Sequence, residues 1–221
     1  MSALFAAAAA LHPVRDGYAL AYGSHAERPG PASDLDLLYT GARPLADRAL
    51  GRLIEGVKRL HTDHGLSLDE EVGFASKLYA TEREVDRAAG LVGFRDVTDY
   101  ATPVGDPVAL NSPAFKLRLI LNALTTPHVF LTGDVHAYRR QIVAAERGCA
   151  LPALRIAGPG KRAFSEAVSA LLSSPDGLTG KRFLGYRPGP HLHAVLRRGM
   201  AHLVHDRLVR LDHDTITWSS T

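Results

Sequence analysis

The sequence predicts an α+β protein, and three observations carry that reading. A wholly apolar run, Tyr18-Ala19-Leu20-Ala21-Tyr22, breaks at Gly23-Ser24, as a buried strand entering a turn does. A second run, Asp34 to Tyr39, sets carboxylates and leucines on alternate residues. The later part of the chain is dominated by apolar residues at helical spacing.

Taken in order, the alanine-rich segment over about residues 2–12 reads as a first helix. It lacks the basic start and the cleavage site of a signal peptide. A strand over 17–22 and the Gly-Ser turn follow. Two prolines and a glycine in Glu27-Arg28-Pro29-Gly30-Pro31 then exclude a long helix before the next strand, 34–39. From Pro44 to His64, Leu45, Leu50, Leu53, Ile54, Val57 and Leu60 recur at helical spacing and predict a crossover helix. A third strand is expected over 66–74, with Ser76 to Ala80 extending the sheet. Thr81 followed by Glu84 is a capping-box signature for a short helix stopped by Gly90.

The proline- and glycine-containing stretch from Thr102 to Pro113 reads as a linker or surface strap. It places a domain boundary between a first domain, 1–105, and a mainly α-helical one, 106–221. Helices are expected over about 113–124, 134–148, 160–172 and 191–209. In the first of these, Leu117, Leu119, Ile120, Leu121 and Leu124 are core residues.

Composition narrows the function classes. The chain has 221 residues, 46% hydrophobic and 22% charged, which suits a globular protein, and no run approaches the length of a membrane span. Cys149 is the single cysteine, so no internal disulfide forms and a reducing cytoplasm is the expected setting. The net charge of +3 conceals an asymmetry: residues 1–112 hold 11 Lys and Arg against 16 Asp and Glu, residues 113–221 hold 15 against 7. An acidic half fits a metal site, and a basic half would draw in an anionic partner. The basic residues come as scattered pairs and not as a stripe interleaved with aromatics, so nucleic acid is permitted without being favoured.

Asp34 and Asp36 carry the chemistry. Two apart on a strand, their carboxylates share one face about 6.6 Å apart, where like charges raise each other's pKa unless a cation neutralises them. Hard oxygen ligands of this kind suit Mg²⁺ bridging nucleotide phosphates. Gly23 lets backbone N–H groups approach a ligand closely, and Ser24 adds a hydroxyl donor. A two-metal site needs a further carboxylate, and in the third strand Asp69 comes first, Glu71 second on the same parity, and Glu70 last. His25 is either a phosphate donor or a turn histidine. Lys77, Lys116 and Arg118 are candidate triphosphate contacts. His191, His193, His202 and His205 lack a zinc-motif spacing and a cysteine, and read as helix-face residues.

Gly23-Ser24 with Asp34-Leu35-Asp36 and the acidic strand downstream resembles the signature of nucleotidyltransferases with the DNA polymerase β palm fold, over roughly residues 1–90. The resemblance is nearest to small bacterial enzymes with a helical C-terminal domain. It implies a palm domain with a short mixed sheet and Mg²⁺-dependent transfer of a nucleoside monophosphate, AMP from ATP foremost, to a hydroxyl of a small molecule or protein, releasing pyrophosphate. Carried over, Gly23 and Ser24 hold the triphosphate, Asp34 and Asp36 ligate two metal ions, and Asp69 or Glu71 completes the site and helps take the acceptor proton. The same resemblance allows a catalytically silent, toxin–antitoxin-like module, a nucleic-acid-directed transferase, or a homodimer that closes the cleft.

Overall fold

The computed structural model describes residues 2–27, 35–68, 77–93, 97–104, 113–184 and 187–219. Asp34 lies outside them, as do residues 69–74 of the expected third strand, with Asp69 and Glu71, while residues 66–68 are described and form no strand. The chain is α+β and forms two compact units: residues 1–88 with 109–141, and residues 89–108 with 142–221.

The first unit is built on a four-stranded mixed sheet. Its strands are β1 (Tyr18–Tyr22), β2 (Asp36–Gly41), β3 (Tyr79–Thr81) and β5 (His128–Gly133), in the order β3-β2-β1-β5. All five β1 residues are buried, which is why the run is apolar throughout: β1 is flanked on both sides and covered on both faces. It runs antiparallel to β2, pairing Ala19 with Tyr39 and Tyr22 with Asp36, and antiparallel to β5, pairing Tyr22 with His128. Parallel β2 and β3 need a crossover, and α3 (Asp47–His64) supplies it.

Strand alternation sends Ala19, Ala21, Leu37, Tyr39 and Leu131 to one face, where Leu53, Val57 and Leu60 of α3 complete a core with Ala8 of α1 (Ala3–Ala10). The Tyr39 hydroxyl donates to the Ala8 carbonyl at 2.6 Å and ties α1 to the sheet. The capping box forms as the sequence predicts. Thr81 N donates to Glu84 Oε2 at 2.7 Å, and Glu84 N to Thr81 Oγ1 at 3.3 Å, opening α4 (Glu82–Ala88). The unit also holds α2 (Ser24–Glu27) and α5 (Pro113–Thr125), the latter with Ile120, Leu121 and Leu124 fully buried.

Strand β5 was not foreseen. It extends the sheet beyond β1 and fixes the register of residues 128–133, which the sequence left as the link between two helices. Helix α6 (Val135–Ala157) runs past the expected end near 148, straight through Pro152. That proline forfeits one backbone hydrogen bond, but Ala150, Ala153 and Leu154 are buried around it and hold the helix.

The second unit contains more strand than expected. A short ladder pairs β4 (Ala101–Pro103) with β7 (Lys181–Phe183). A three-stranded antiparallel sheet joins β6 (Gly160–Ala163), β8 (Val209–Asp212) and β9 (Thr215–Trp218) in the order β6-β9-β8. The helix expected over 160–172 therefore starts only at Phe164, as α7 (Phe164–Ser173), because residues 160–163 pair with β9. The helix expected to reach 209 ends at His205, as α8 (Pro190–His205), and Val209 already belongs to β8. Gly199 lets α8 cross α6 closely: a Cβ there would run into the Glu146 carbonyl and lie 2.8 Å from Ala150 Cβ. At the same crossing the buried Glu146 carboxylate accepts from Arg198 Nε and meets His202 Nε2 at 2.9 Å. No helix among the described residues is long and apolar enough to cross a membrane.

Candidate functional site

The Gly-Ser turn and the first residue of β2 meet because β1 and β2 pair antiparallel. The register opposes Tyr22 to Asp36, so Gly23, next in the chain, falls beside the Asp36 carboxylate. Gly23 has φ +83°, a conformation that favours glycine, and a Cβ built on it would lie 2.8 Å from Asp36 Oδ2. Both the backbone conformation and the space thus call for glycine. Ser24 is exposed at the start of α2.

Lys77 Nζ lies 3.9 Å from Asp36 Oδ1, both side chains being mostly buried. That separation is an ionic attraction beyond hydrogen-bond reach. The structure thus brings Gly23, Ser24, Asp36 and Lys77 to one end of the sheet. Tyr22 and Leu20 share the face of β1 opposite to the Ala19–Ala21 core, so by register Asp36 points to the side away from α1 and α3.

His25 is placed differently from its neighbours in the turn. It is buried at 6% exposure, with its ring set edge-on to Phe5 at 6.3 Å between centroids. Lys116 lies at the opposite end of β2. Its ammonium is 2.9 Å from Glu84 Oε1, and Glu84 caps the helix that follows Thr81, the residue paired with Gly41. Five residues of strand separate Asp36 from Gly41, about 16 Å. Arg118, one turn into α5, is buried, its Nε has no hydrogen-bond partner, and burial lowers its pKa.

Glu84 and Lys116 line a cleft of about 370 Å³ with Pro44, Leu45, Leu50, Tyr79 and Thr81. Burial pushes the Glu84 pKa up, but the Thr81 amide, the Lys116 ammonium and the Thr81 hydroxyl outweigh it, and the net shift is downward. Sequence reasoning did not foresee this cleft. The capping signature Thr81-x-x-Glu84 locates its polar end, whereas its apolar wall comes from the β2–α3 connection, which carries no motif.

A second cluster also went unforeseen. The Tyr18 hydroxyl is buried without a hydrogen-bond partner, beside Tyr138, and its pKa is raised chiefly by that burial. Gln141 Nε2 donates to Asp86 Oδ1 at 2.7 Å, and Arg140 bridges Glu82 and Asp86 at 2.9 and 3.5 Å. His128 Nε2 lies 2.8 Å from the Tyr138 hydroxyl, and its Nδ1 lies 2.7 Å from the Thr126 carbonyl. Only a protonated Nδ1 can donate to that carbonyl, so in the neutral ring Nε2 accepts from Tyr138.

Among the described residues no group of three or more His, Cys, Asp and Glu is arranged to hold a metal ion. Of the expected carboxylate ligands, only Asp36 is within the described residues. The chain matches no protein-family model, no curated protein and no solved structure.

Proposed function

We propose that the protein is a Mg²⁺-dependent nucleotidyltransferase that moves a nucleoside monophosphate, AMP from ATP foremost, onto a hydroxyl and releases pyrophosphate. The observation that carries the reading is the meeting of Gly23 and Asp36: a positive-φ glycine set against a carboxylate, with a lysine 3.9 Å beyond it.

Asp36, the one proposed ligand among the described residues, suits the cation. Asp36 supplies hard oxygen, and the missing Gly23 side chain leaves that oxygen in a cradle which any Cβ would fill. Asp36, with Asp34 and with Asp69 or Glu71, would hold the metal; when bound, it neutralises charge developing on the transferred phosphoryl group. Gly23 and Ser24 receive the triphosphate through backbone N–H and hydroxyl donors, and Lys77 adds a positive charge to the same end. The acceptor oxygen bonds to the α-phosphorus as the bond to the bridging oxygen of pyrophosphate breaks. Asp69 or Glu71 helps take the acceptor proton. Lys116 has no part in this reading, being committed to Glu84 at the far end of β2.

The test is calorimetric titration of ATP, GTP, CTP and UTP, each with Mg²⁺, into the wild type and an Asp34→Ala/Asp36→Ala variant. Metal-dependent binding that collapses in the variant supports the reading and names the base. Absence of binding by folded wild type overturns it.

A further inference from the structure

The second unit carries a surface that the nucleotide site does not use. Its elements run α6, β6, α7, α8, β8, β9, with β6 paired to β9 and β9 to β8. That is the connectivity of a winged helix, whose last helix enters a nucleic-acid groove and whose last hairpin is the wing. The 174–189 connection, which contains β7, is longer than the usual turn between the two helices of such a module. Connectivity alone does not assign a function, so the surface chemistry has to decide.

Leu192, Val195, Leu196, Gly199, Met200 and Leu203 bury one face of α8. The opposite stripe, Pro190, Ala194, Arg197, Ala201 and His205, is exposed, as is neighbouring His193. The helix contains no Asp or Glu. Ala194 and Ala201 flank Arg197 with small side chains, so the helix backbone can come close to a partner while the guanidinium projects from it. Arg197 is 64% exposed, lies 4.8 Å over the Phe164 ring, and reaches within 3.5 Å of Asp214 in the β8–β9 turn, joining helix to hairpin.

The hairpin carries both signs, with Arg210 on a strand and Asp212 and Asp214 exposed at its turn. Register aligns Lys161, Thr217 and Arg210 across all three strands, and all three are exposed on the face opposite buried Ile216. From Arg187 to Trp218, which spans α8 and the hairpin, there are five arginines and three acids: Asp206, 3.2 Å from Arg147, and Asp212 and Asp214 at the hairpin turn. An exposed helix free of acids, beside a sheet face that carries Lys161 and Arg210, is complementary to a phosphate backbone.

We infer that α8 and the β8–β9 hairpin form a binding surface for duplex DNA, with Arg197 on the helix and Arg210 on the hairpin as its principal phosphate contacts. This surface does not depend on the nucleotidyltransferase reading. The test is fluorescence anisotropy of the full chain on a labelled mixed-sequence duplex of about two helical turns, between about 50 and 200 mM NaCl.

The wild type should bind with affinity falling linearly in log salt. Arg197→Gln/Arg210→Gln should weaken binding at least about tenfold and flatten the salt slope by about two. An Arg197→Glu/Arg210→Glu variant should weaken it further, with thermal melting confirming that each variant is folded. Asp36→Ala should bind duplex as the wild type does, which separates failure here from failure at the nucleotide site. The inference is overturned if folded wild type does not bind at low salt, if the folded variants keep the wild-type affinity and slope, or if single strands bind as well as duplex.

Discussion

The two ends of strand β2 carry the same ingredients and use them differently. At the Gly41 end, Glu84 accepts from the Thr81 amide and hydroxyl at 2.7 and 2.9 Å and pairs with Lys116 at 2.9 Å, beside a 370 Å³ cleft. At the Asp36 end, the carboxylate lies against a positive-φ glycine, and its lysine stands 3.9 Å away. The first carboxylate has a structural task, closing the N-terminus of α4, and its hydrogen bonds account for it. At the second, the backbone conformation of Gly23 and its closeness to Asp36 Oδ2 both call for glycine.

Substitutions at the two ends sharpen that contrast, and the largest effect belongs to Asp36. Asp36→Asn, which keeps the shape and removes the charge, should lower nucleotidyl transfer at least about a hundredfold while melting as the wild type does. Gly23→Ala should act on both scales. It should weaken nucleotide binding by pushing a methyl group into Asp36, and cost about 1–2 kcal/mol in denaturant unfolding because alanine resists a positive φ.

At the opposite end the effect should fall on stability alone. Thr81→Ala removes the cap and should cost about 1 kcal/mol in urea unfolding, with nucleotide binding unchanged.

Acid should separate the ends further. The folded Glu84 pKa lies below its ordinary 4.5, so its stabilisation is present above that value and is lost as pH falls through the lowered pKa. Melting temperatures followed from pH 6 down to about 3 should show this loss in the wild type. Glu84→Gln should have a flatter profile over that acidic window. The smallest effect is expected of Tyr18→Phe: its buried hydroxyl has no partner, so stability should be unchanged or slightly higher by thermal melting.

What the sequence revealed was local. The β1 run, the Gly-Ser turn and the Thr81-x-x-Glu84 cap are written within a few residues each, and each forms as expected. Lys77, next to the expected third strand, does come near Asp36. What escaped was long-range or lacked punctuation. His128 to Gly133 is rich in β-forming residues, but nothing local says that it will add to β1, more than a hundred residues earlier. The β8–β9 hairpin gives no sign of itself beyond the expected helix end at 209, because its turn, Asp212-His213-Asp214, contains no glycine, and His213 itself takes the positive φ of 52°. Arg207, at φ 61°, likewise ends α8 without the glycine that would have marked the stop. Pro152 misled in the opposite direction, since burial of its helix neighbours outweighs a breaker that the sequence alone treats as decisive.

The account rests on the nucleotide binding at the Asp36 end and not at the Lys116 end. Calorimetric titration of ATP with Mg²⁺ into Asp36→Asn and Lys116→Ala, side by side, tests that directly. The expected result is wild-type binding by Lys116→Ala and loss of binding by Asp36→Asn, with both proteins folded. Retained binding by Asp36→Asn together with loss in Lys116→Ala would move the site to the cleft and contradict the account.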